Sequence, residues 1–340
     1  MKYFIKQILI FFILLLILSF TSKQIVRELR SPYINNSYYL TKLTYYLQNS
    51  EKYNTLFFGS SRIYRQINPA VIDSELKEYG ISSFNFGAPA TFNPEAQYLY
   101  EELIKNKSSI RFAFIELTDI MPIANVNRGS FRSYYYMNLE YLTYVTQYYL
   151  YEPKNKFVEN VKTLYPFLIA YVNNNFVFSN SQVIEHPAEK IYIGVDKNGF
   201  YPLDVDLIQN RSKDLFIRNK LFFEDTTTLE LKKVKPVENI TFSNRNIAFE
   251  RFLALLIDKS ESKGIKLFFI IPPRLGMYTP TSILNNPVIK NRIIDLSSSQ
   301  KYPEFYLAKY SFDSGHLNSL GADLFSKYLS VEISKKISKK

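Results

Sequence analysis

The sequence predicts an α/β fold with a central parallel sheet and an aromatic-rich insertion. Three observations support this class. Short apolar runs alternate with helical patterns from Tyr53 onward, most of these runs end at glycine or proline, and 46% of the 340 residues are hydrophobic. Such alternation is typical of parallel strands covered by helices, and the apolar content can fill a sizeable core. The composition excludes a wholly disordered, collagen-like or coiled-coil chain.

Residues 1–22 are predicted to form a membrane anchor or signal segment. An uncharged apolar run spans Ile8 to Leu18, and a buried helix of a soluble protein would not be apolar on every face at the extreme N-terminus. The run is shorter than the ~20 residues of a comfortable span, so a cleaved signal peptide competes with an uncleaved anchor. We favour the anchor because Ser19–Ser22 lack a good small-x-small cleavage site. Residues 23–52 are then a linker or juxtamembrane helix.

Three strands and two helices are predicted for the first part of the sheet. The strands are Thr55–Phe58, Ile81–Phe86 and Arg111–Leu117. Asn68-Pro69 and Asn93-Pro94 each combine a cap residue with a first-turn proline, which is the signal for a helix start. These helices would connect the three strands in parallel.

The C-terminal part continues the alternation. An amphipathic helix is predicted for Asn246–Lys263 and a strand for Lys266–Ile271, which two prolines close. A weak strand at Phe305–Leu307 precedes a closing helix that starts near Asn318. We assign the whole of residues 53–335 to one domain.

A stretch at about 125–235 breaks this rhythm and is predicted to be an insertion or cap on the sheet. Tyr134–Tyr151 indicate a tyrosine-rich helix. Its rings could line a carbohydrate or acyl groove, but half-buried packing is the commoner role of such tyrosines. Ile191–Asp204 indicate a strand and a turn with Asn198-Gly199 at its tip.

The charge balance is 42 basic against 31 acidic residues, or +11, and part of the excess lies at the two ends, including a basic tail at 336–340. This placement fits anionic lipid or wall polymer near a membrane better than a nucleic-acid groove, although a basic tail is more often a solvated end. No basic stripe interleaved with aromatics recurs at a spacing that would track phosphates, so we expect no nucleic-acid partner.

The residue inventory excludes several kinds of chemistry. The chain has no Cys, which removes disulfides, thiolate metal sites and a cysteine nucleophile. Its two histidines, His186 and His316, stand far apart in sequence without an obvious carboxylate cluster, so we expect no metal and no cofactor. We expect His186 to be a surface residue. The motifs of α/β-hydrolase elbows, phosphate loops and dinucleotide sites are absent.

Three short motifs place candidate chemistry where ligands of a parallel sheet bind, at the carboxyl ends of strands and in the final loop. The motif Gly59-Ser60-Ser61-Arg62 directly follows the first strand, and Asn85-Phe86-Gly87 ends the second. A serine at a helix start has backbone N–H groups nearby that can stabilise an oxyanion. A glycine lets its own N–H approach a bound carbonyl.

The third motif contains Asp313 and His316, three residues apart on one loop. The carboxylate can hold the imidazole tautomer while the other ring nitrogen faces a nucleophile from elsewhere. Each motif alone has a simpler role: Ser61 as a helix cap, Asp313 as a turn residue and His316 as a satisfied polar side chain. Their joint appearance in this order points to catalysis.

With these motifs, the chain resembles the SGNH (GDSL-type) hydrolase superfamily, and within it the membrane-anchored, DltD-like branch whose first block reads GSSR or GSSE. The resemblance covers about 54–122 and 264–329. It implies a flavodoxin-like, three-layer α/β/α sandwich. It also implies the following site roles: nucleophile, Ser61; general base, His316; orienting acid, Asp313; oxyanion donors, the N–H groups of Ser61 and Gly87.

One departure from the family pattern concerns the oxyanion hole. The family's third block carries an asparagine, whereas here the third strand ends Glu116-Leu117-Thr118-Asp119. Thr118 and Asn125 are the candidate substitutes. Loss of one oxyanion donor can cost roughly 10² to 10³ in rate. Arg62, beside the nucleophile, is a candidate for recognising a carboxylate or phosphate of the substrate, or for pairing with a neighbouring acid.

The resemblance implies an exported, membrane-tethered serine esterase or O-acyltransferase that acts on acyl esters of a cell-envelope polysaccharide or related polymer. Water as second substrate gives an esterase and a sugar hydroxyl gives a transferase; the sequence leaves both open. The alternative is a catalytically inactive envelope protein that keeps the scaffold to bind glycan or a partner membrane acyltransferase. The expected partners are therefore the acylated polymer, the membrane and, for the alternative, that acyltransferase.

Overall fold

The computed structural model describes residues 1–31, 33, 36–91, 94–105, 109–117, 127, 130, 132–150, 157–176, 193–226, 244–273 and 286–338. The sequence predictions for Thr118, Asn125 and His186 fall outside these residues, as do the last two residues of the basic tail.

A five-stranded parallel sheet forms the centre of the fold and confirms the predicted α/β class. Its strands are β1 (Thr55–Phe58), β2 (Ser83–Asn85), β3 (Phe112–Glu116), β4 (Lys266–Ile271) and β5 (Ile293–Asp295). Their spatial order is β2-β1-β3-β4-β5, and every neighbouring pair is parallel. Doubly wound, flavodoxin-like sheets share this order, and their ligand crevice lies at the carboxyl ends of the strands where the order reverses, here between β1 and β3.

Helices cover both faces of this sheet. In chain order they are α1 (Lys2–Leu29), α2 (Ser37–Asn49), α3 (Ser61–Gln66), α4 (Pro69–Glu75), α5 (Glu95–Ile104), α6 (Ser133–Tyr136), α7 (Leu139–Leu150), α8 (Phe157–Asn175), α9 (Leu203–Asn210), α10 (Lys213–Glu224), α11 (Asn244–Glu261), α12 (Pro287–Lys290) and α13 (Ser319–Ile337). One face packs against α2, α5, α7 and α11, and the other against α3, α4 and α13. This arrangement is compatible with a three-layer sandwich.

Successive side chains of the strands point to opposite faces, so each strand contributes to two cores. Leu56 and Phe58 of β1 belong to the first core and Phe57 to the second. All four residues of β1 are buried, which explains why this strand has an unbroken apolar pattern instead of an alternating one. Across the second face, Phe114 stacks on Phe57 at 4.9 Å and on Phe268 at 5.4 Å between ring centroids.

The predicted helix starts are confirmed where the cap residue is described. Asn68 Oδ1 accepts from the N–H of Ala70, with Pro69 as the first helical residue. Asn318 Oδ1 accepts from the N–H of Gly321 at the start of α13. The side chain of an N-cap residue satisfies one of the first backbone donors of the helix. Asn68 and Asn318 therefore begin helices as their sequence patterns predict.

The predicted strand at Phe305–Leu307 is wrong. Pro303–Tyr306 form a 3₁₀ turn, and the fifth strand of the sheet is β5 instead. Phe305 is apolar because it packs against α13, with its ring 5.6 Å from that of Phe325, and packing of this kind needs no strand ladder. A three-residue strand such as β5 offers too short a pattern to be recognised by periodicity.

The insertion differs from its sequence pattern in two places. The tyrosine-rich helix is two helices, α6 and α7, which are separated at Met137–Asn138. Six of its tyrosines are buried in the core; for example, the ring of Tyr144 stacks on Phe252 at 4.7 Å. Where a strand and turn were predicted, residues 193–202 form a turn without a strand, and α9 begins at Leu203.

The N-terminal helix α1 is long and apolar enough to cross a membrane. Its best 18-residue window has a mean hydropathy of 2.4, and 6% of that window is buried. A signal sequence near the N-terminus would have the same properties, so α1 could be either an anchor or a signal. The helix continues to Leu29, beyond the predicted boundary at residue 22, and α2 accounts for most of the remaining linker.

Replacement of Gly59 tests the close packing that follows β1. A Cβ at Gly59 would lie 2.4 Å from Ile63 Cγ1 and 2.6 Å from Glu116 Oε2. We expect Gly59→Ala to lower the free energy of unfolding by about 3 kcal/mol, because overpacking forces the neighbours to shift. Urea denaturation measures the change.

Gly264→Ala is the matched control for this substitution. Gly264 has a φ of +73°, and a Cβ added there would meet no atom within 4 Å, so its replacement costs only backbone strain of about 1–2 kcal/mol. Equal losses for the two variants would contradict the packing argument.

Candidate active site

Ser61 lies where the first strand of the sheet passes into a helix. β1 ends at Phe58, and the two-residue turn Gly59-Ser60 leads directly to α3, whose first residue is Ser61. The hydroxyl of Ser60 accepts from the N–H of Arg62 and so caps the helix. The cap role therefore belongs to Ser60, which is buried, and the hydroxyl of Ser61 is available for other contacts.

The structure brings Ser61 and His316 into hydrogen-bonding contact. Ser61 Oγ lies 2.8 Å from His316 Nε2. On the other side of the ring, His316 Nδ1 lies 3.0 Å from Asp313 Oδ1 and 3.2 Å from Oδ2. The three predicted catalytic side chains thus form a continuous chain from hydroxyl to imidazole to carboxylate, which is the arrangement of a serine–histidine–acid triad.

A short hairpin holds the acid and the imidazole together. Strands β6 (Ser311–Asp313) and β7 (His316–Leu317) pair antiparallel, with Asp313 opposite His316. The N–H of Gly315 donates to Asp313 Oδ1 at 2.7 Å and closes the turn between them. The spacing of three residues in the sequence is therefore the span of this turn.

Asp313 is electrostatically prepared to remain ionised. Burial alone would raise its pKa, but hydrogen bonds from His316 and the Gly315 N–H, together with the charge of Arg218, outweigh burial and lower the pKa of Asp313 to about 2. A carboxylate that stays charged at neutral pH can stabilise an imidazolium on His316.

Arg218 of the insertion joins the triad, and no sequence motif predicted it. Its guanidinium donates to Asp313 Oδ2, and its Nη2 lies 3.4 Å from His316 Nδ1. Its helix, α10, is fixed to β6 by a hydrogen bond from Asn219 Nδ2 to the carbonyl of Phe312. Arg218 competes with the imidazole for one carboxylate, and it adds positive charge at the mouth of the site.

A cavity of about 460 Å³ adjoins the imidazole. One wall is the hairpin from Asp313 to His316, and the other is α10, which contributes Arg218, Leu221 and Phe222 together with the following Asp225. The cavity therefore combines apolar surface with charged groups directly beside the triad.

A buried acid supports the turn that leads to Ser61. Glu116, the last residue of β3, is fully buried, and its Oε2 accepts from the N–H of Ser60 at 2.6 Å. Arg62 Nη1 lies 4.0 Å from Glu116 Oε1, so the pairing role considered for Arg62 is present in the structure. Within the described residues, Glu116 Oε1 and Arg62 Nε have no hydrogen-bond partner.

Gly87, the predicted oxyanion donor, is tightly packed, and its N–H already makes a hydrogen bond within the protein. That N–H donates to Asn85 Oδ1 at 2.8 Å, and a Cβ at Gly87 would lie 2.3 Å from the backbone nitrogen of Tyr64. Asn85 Nδ2 in turn donates to the carbonyls of Ile63 and Ile67. The second motif is thus fixed against α3 by the side chain of its own asparagine.

Lys42 of α2 binds the same loop through hydrogen bonds to backbone carbonyls. Its side chain is fully buried, and Nζ donates to the carbonyls of Asn85 at 2.9 Å, Gly87 at 2.6 Å and Gly199 at 2.8 Å. Nζ also lies 4.0 Å above the centre of the Tyr64 ring. Burial lowers the pKa of Lys42 well below its usual value. The ammonium therefore connects α2, the second motif and the turn at Gly199.

Two of the residues that the motifs missed do leave a signal in the sequence. Lys42 lies at helical spacing from Tyr39 and Tyr46, on the buried face of α2, where a charge needs buried partners. Glu116 interrupts an apolar run at the end of a buried strand. Arg218 leaves no such signal. Among the described residues, no group of three or more potential ligands could hold a metal ion.

Replacement of Lys42 tests how much its hydrogen bonds to the loop around Gly87 stabilise the fold. Lys42→Met keeps the length of the side chain but leaves three buried carbonyls without their donor. We expect the free energy of unfolding to fall by about 3 kcal/mol. Urea denaturation measures the change, with Lys52→Met as the control, because Lys52 is exposed and its Nζ donates to the nearby side chain of Asn49. An unchanged free energy of unfolding in Lys42→Met would show that these hydrogen bonds do not stabilise the fold.

No family model matches this chain, and no curated protein is significantly similar to it. The family suggested by the motifs therefore stays a prediction. The contacts among Ser61, His316 and Asp313 are the main structural observation that bears on function.

Proposed function

We propose that the protein is a membrane-tethered, SGNH-type serine esterase or O-acyltransferase that acts on acyl esters of a cell-envelope polysaccharide or a related polymer. The distance of 2.8 Å between Ser61 Oγ and His316 Nε2, in line with Asp313, is the observation that carries the proposal. Two residues 255 positions apart have no local reason to meet in this way, and a nucleophile needs a base within hydrogen-bond reach.

The reaction begins when Ser61 Oγ attacks the acyl carbonyl and His316 Nε2 takes the hydroxyl proton. The new C–O bond forms a tetrahedral oxyanion, and Asp313 stabilises the imidazolium. The imidazolium then gives its proton to the leaving alcohol oxygen as the ester bond breaks, which leaves the acyl group on Ser61. Water or a sugar hydroxyl next gives its proton to His316 and attacks the acyl carbonyl. The bond between the acyl group and Ser61 Oγ then breaks as His316 returns that proton to Ser61 Oγ, so that the product is an acid or a new ester and the side chains are restored.

The oxyanion needs donors near Ser61. Within the described part of the chain, the N–H of Ser61 has no hydrogen-bond acceptor, so it is the first donor of the proposal. The N–H of Gly87 is the second, and it would exchange Asn85 Oδ1 for the substrate oxygen. Preorganised donors of this kind supply roughly 3–4 kcal/mol each in related chemistry.

The surroundings of the triad support an acyl substrate attached to a charged or polar carrier. Leu221 and Phe222 give the 460 Å³ cavity beside His316 an apolar wall for an acyl group. Arg218, with its side chain 47% exposed, is the cation that an anionic carrier would meet at the entrance. Arg62 is less exposed and lies near Glu116, so its role in substrate recognition is the weaker of the two. In the proposal, α1 holds the domain at the membrane on the extracytoplasmic side.

A second function, a non-catalytic scaffold that binds glycan or a membrane acyltransferase, is favoured by one observation. The Gly87 N–H is already bonded to Asn85, and an oxyanion hole with a single free donor would be weak. The two functions differ in whether Ser61 reacts.

An active-site probe tests the nucleophile. We expect a fluorophosphonate to label the full-length protein and to leave Ser61→Ala unlabelled, because the hydroxyl that His316 activates would be missing. Gel fluorescence after reaction of the purified protein measures the labelling.

Ser60→Ala is the matched control, because it removes the adjacent hydroxyl. It should keep the label and lose about 1 kcal/mol of stability with the helix cap. An unlabelled wild type, or an equally labelled Ser61→Ala protein, would remove Ser61 from the proposed chemistry.

Loss of the base gives an independent prediction. His316→Ala should lower the rate of hydrolysis of a simple ester, such as 4-nitrophenyl acetate, by about 10³ or more, as expected for a triad histidine. Steady-state absorbance assays measure the rate. His186→Ala, which alters the chain's other histidine, should keep it. Near-normal turnover in His316→Ala would contradict the assigned base.

A further inference from the structure

Helix α8 carries an exposed apolar stripe that the fold itself does not cover. Its members share one face at helical spacing: Phe157, Val158, Val161, Tyr165, Leu168, Ile169 and Val172. Their exposed fractions run from 39% at Ile169 to 68% at Phe157. Contiguous exposed apolar surface of this size marks a contact with something outside the domain.

The exposed surface of α8 is divided into an apolar and a polar sector. At 3.6 residues per turn, the stripe occupies one side of the exposed surface, and Glu159, Lys162, Thr163 and Asn173 occupy the side next to it. The opposite face packs on the domain through Leu164 and Phe167, both buried. The helix thus has three faces: one in the core, one polar and one apolar without a cover in the described part of the chain.

The C-terminal end of α8 lies against α1. The ring of Phe176, just beyond α8, is 5.2 Å from that of Phe20, and its carbonyl accepts from the hydroxyl of Ser19. Asn175 Oδ1 accepts from Arg27 Nη1 at 3.2 Å. These contacts fall at the end of the uncharged part of α1, because Lys23 is the first charged residue after Lys6.

This contact places the end of the stripe at the level where α1 would leave a bilayer. Val172 lies one turn from Phe176, so the exposed apolar surface of α8 begins beside the exposed apolar surface of α1, where Leu18 is 63% exposed. An interfacial helix buries its apolar face ~5–10 Å into the boundary between headgroups and acyl chains. Tyrosines and a flanking lysine, here Tyr165 and Lys162, suit that boundary.

We propose that α8 is a second membrane contact, which lies on the bilayer surface with its apolar stripe in the lipid, beside the point where α1 leaves the membrane. The occupant of the stripe is a lipid surface because the stripe continues the apolar surface of the proposed anchor. This inference rests on the anchoring part of the proposed function, and it is independent of the chemistry at Ser61.

A site-specific fluorescent probe tests this contact in the full-length protein. The chain has no Cys, so a single introduced cysteine carries the only label. Val161→Cys and Leu168→Cys on the stripe are labelled with the fluorophore NBD and reconstituted into vesicles of phosphatidylcholine and phosphatidylglycerol. We expect blue-shifted emission and strong quenching when the lipids carry bromine on their acyl chains.

Three control positions separate the possible results. Thr163→Cys, on the polar sector of the same helix, and Lys327→Cys on α13, across the sheet, should show little quenching. Leu14→Cys in α1 reports the anchor itself and should be quenched. Thermal unfolding of each labelled variant verifies that it is folded.

The pattern of quenching shows whether α8 contacts the lipid. Quenching at positions 14, 161 and 168 but not at 163 or 327 supports the proposal. Quenching at position 14 with none at 161 and 168 overturns it and leaves the anchor intact. No quenching at any position removes the anchor as well. A blue shift at 161 and 168 that bromolipid does not quench, together with dimers in cross-linking, would show that a second copy of the chain covers the stripe, and would also overturn the proposal.

Discussion

The hydrogen bond between Ser61 and His316 depends on how the two ends of the domain are packed against each other. α13, which follows the histidine, lies along α3 and α4, which follow the serine. Ser326 Oγ accepts from the N–H of Asn68 at 2.8 Å, and Asp323 Oδ1 accepts from Asn68 Nδ2 at 2.8 Å. These contacts, with the aromatic core beneath them, fix the separation between the strand end and the hairpin. The geometry of the triad is therefore a property of helix packing as much as of the loops that carry it.

A second constraint comes from charges buried around the strand ends. Glu95 is buried and accepts from Arg132 at 2.9 Å, Asn127 at 3.0 Å and Asn36 at 3.4 Å. Burial raises the pKa of Glu95, and the charge of Arg132 acts against that shift. A buried charge destabilises the fold unless its partners are in place. Each such group therefore specifies one arrangement of the segments before β1, after β2 and within the insertion.

Much of the sheet could be predicted because its strands are buried on both faces and end at glycine or proline, as β1 and β4 do. The convergence of Ser61 with His316 could also be predicted, since the order of the motifs indicates where each strand or loop delivers its residue. β5 could not, because its three residues carry no period and no glycine or proline follows them directly, whereas the equally short β2 lies in an apolar run that ends at Gly87. The role of Arg218 in the site depends on how the insertion folds back over the hairpin, and no local pattern encodes that contact. Gly87 was assigned from its motif, but only the folded loop reveals that Asn85 already occupies its N–H.

The three hydrogen bonds of Lys42 have a mechanical consequence. They fix α2 to the loop around Gly87, near the candidate site, and only a few residues separate α2 from α1. With α1 as the proposed membrane anchor, α2 would keep the domain close to the membrane. If the proposed function holds, the polymer segments within reach of Ser61 would be those that lie close to the membrane surface.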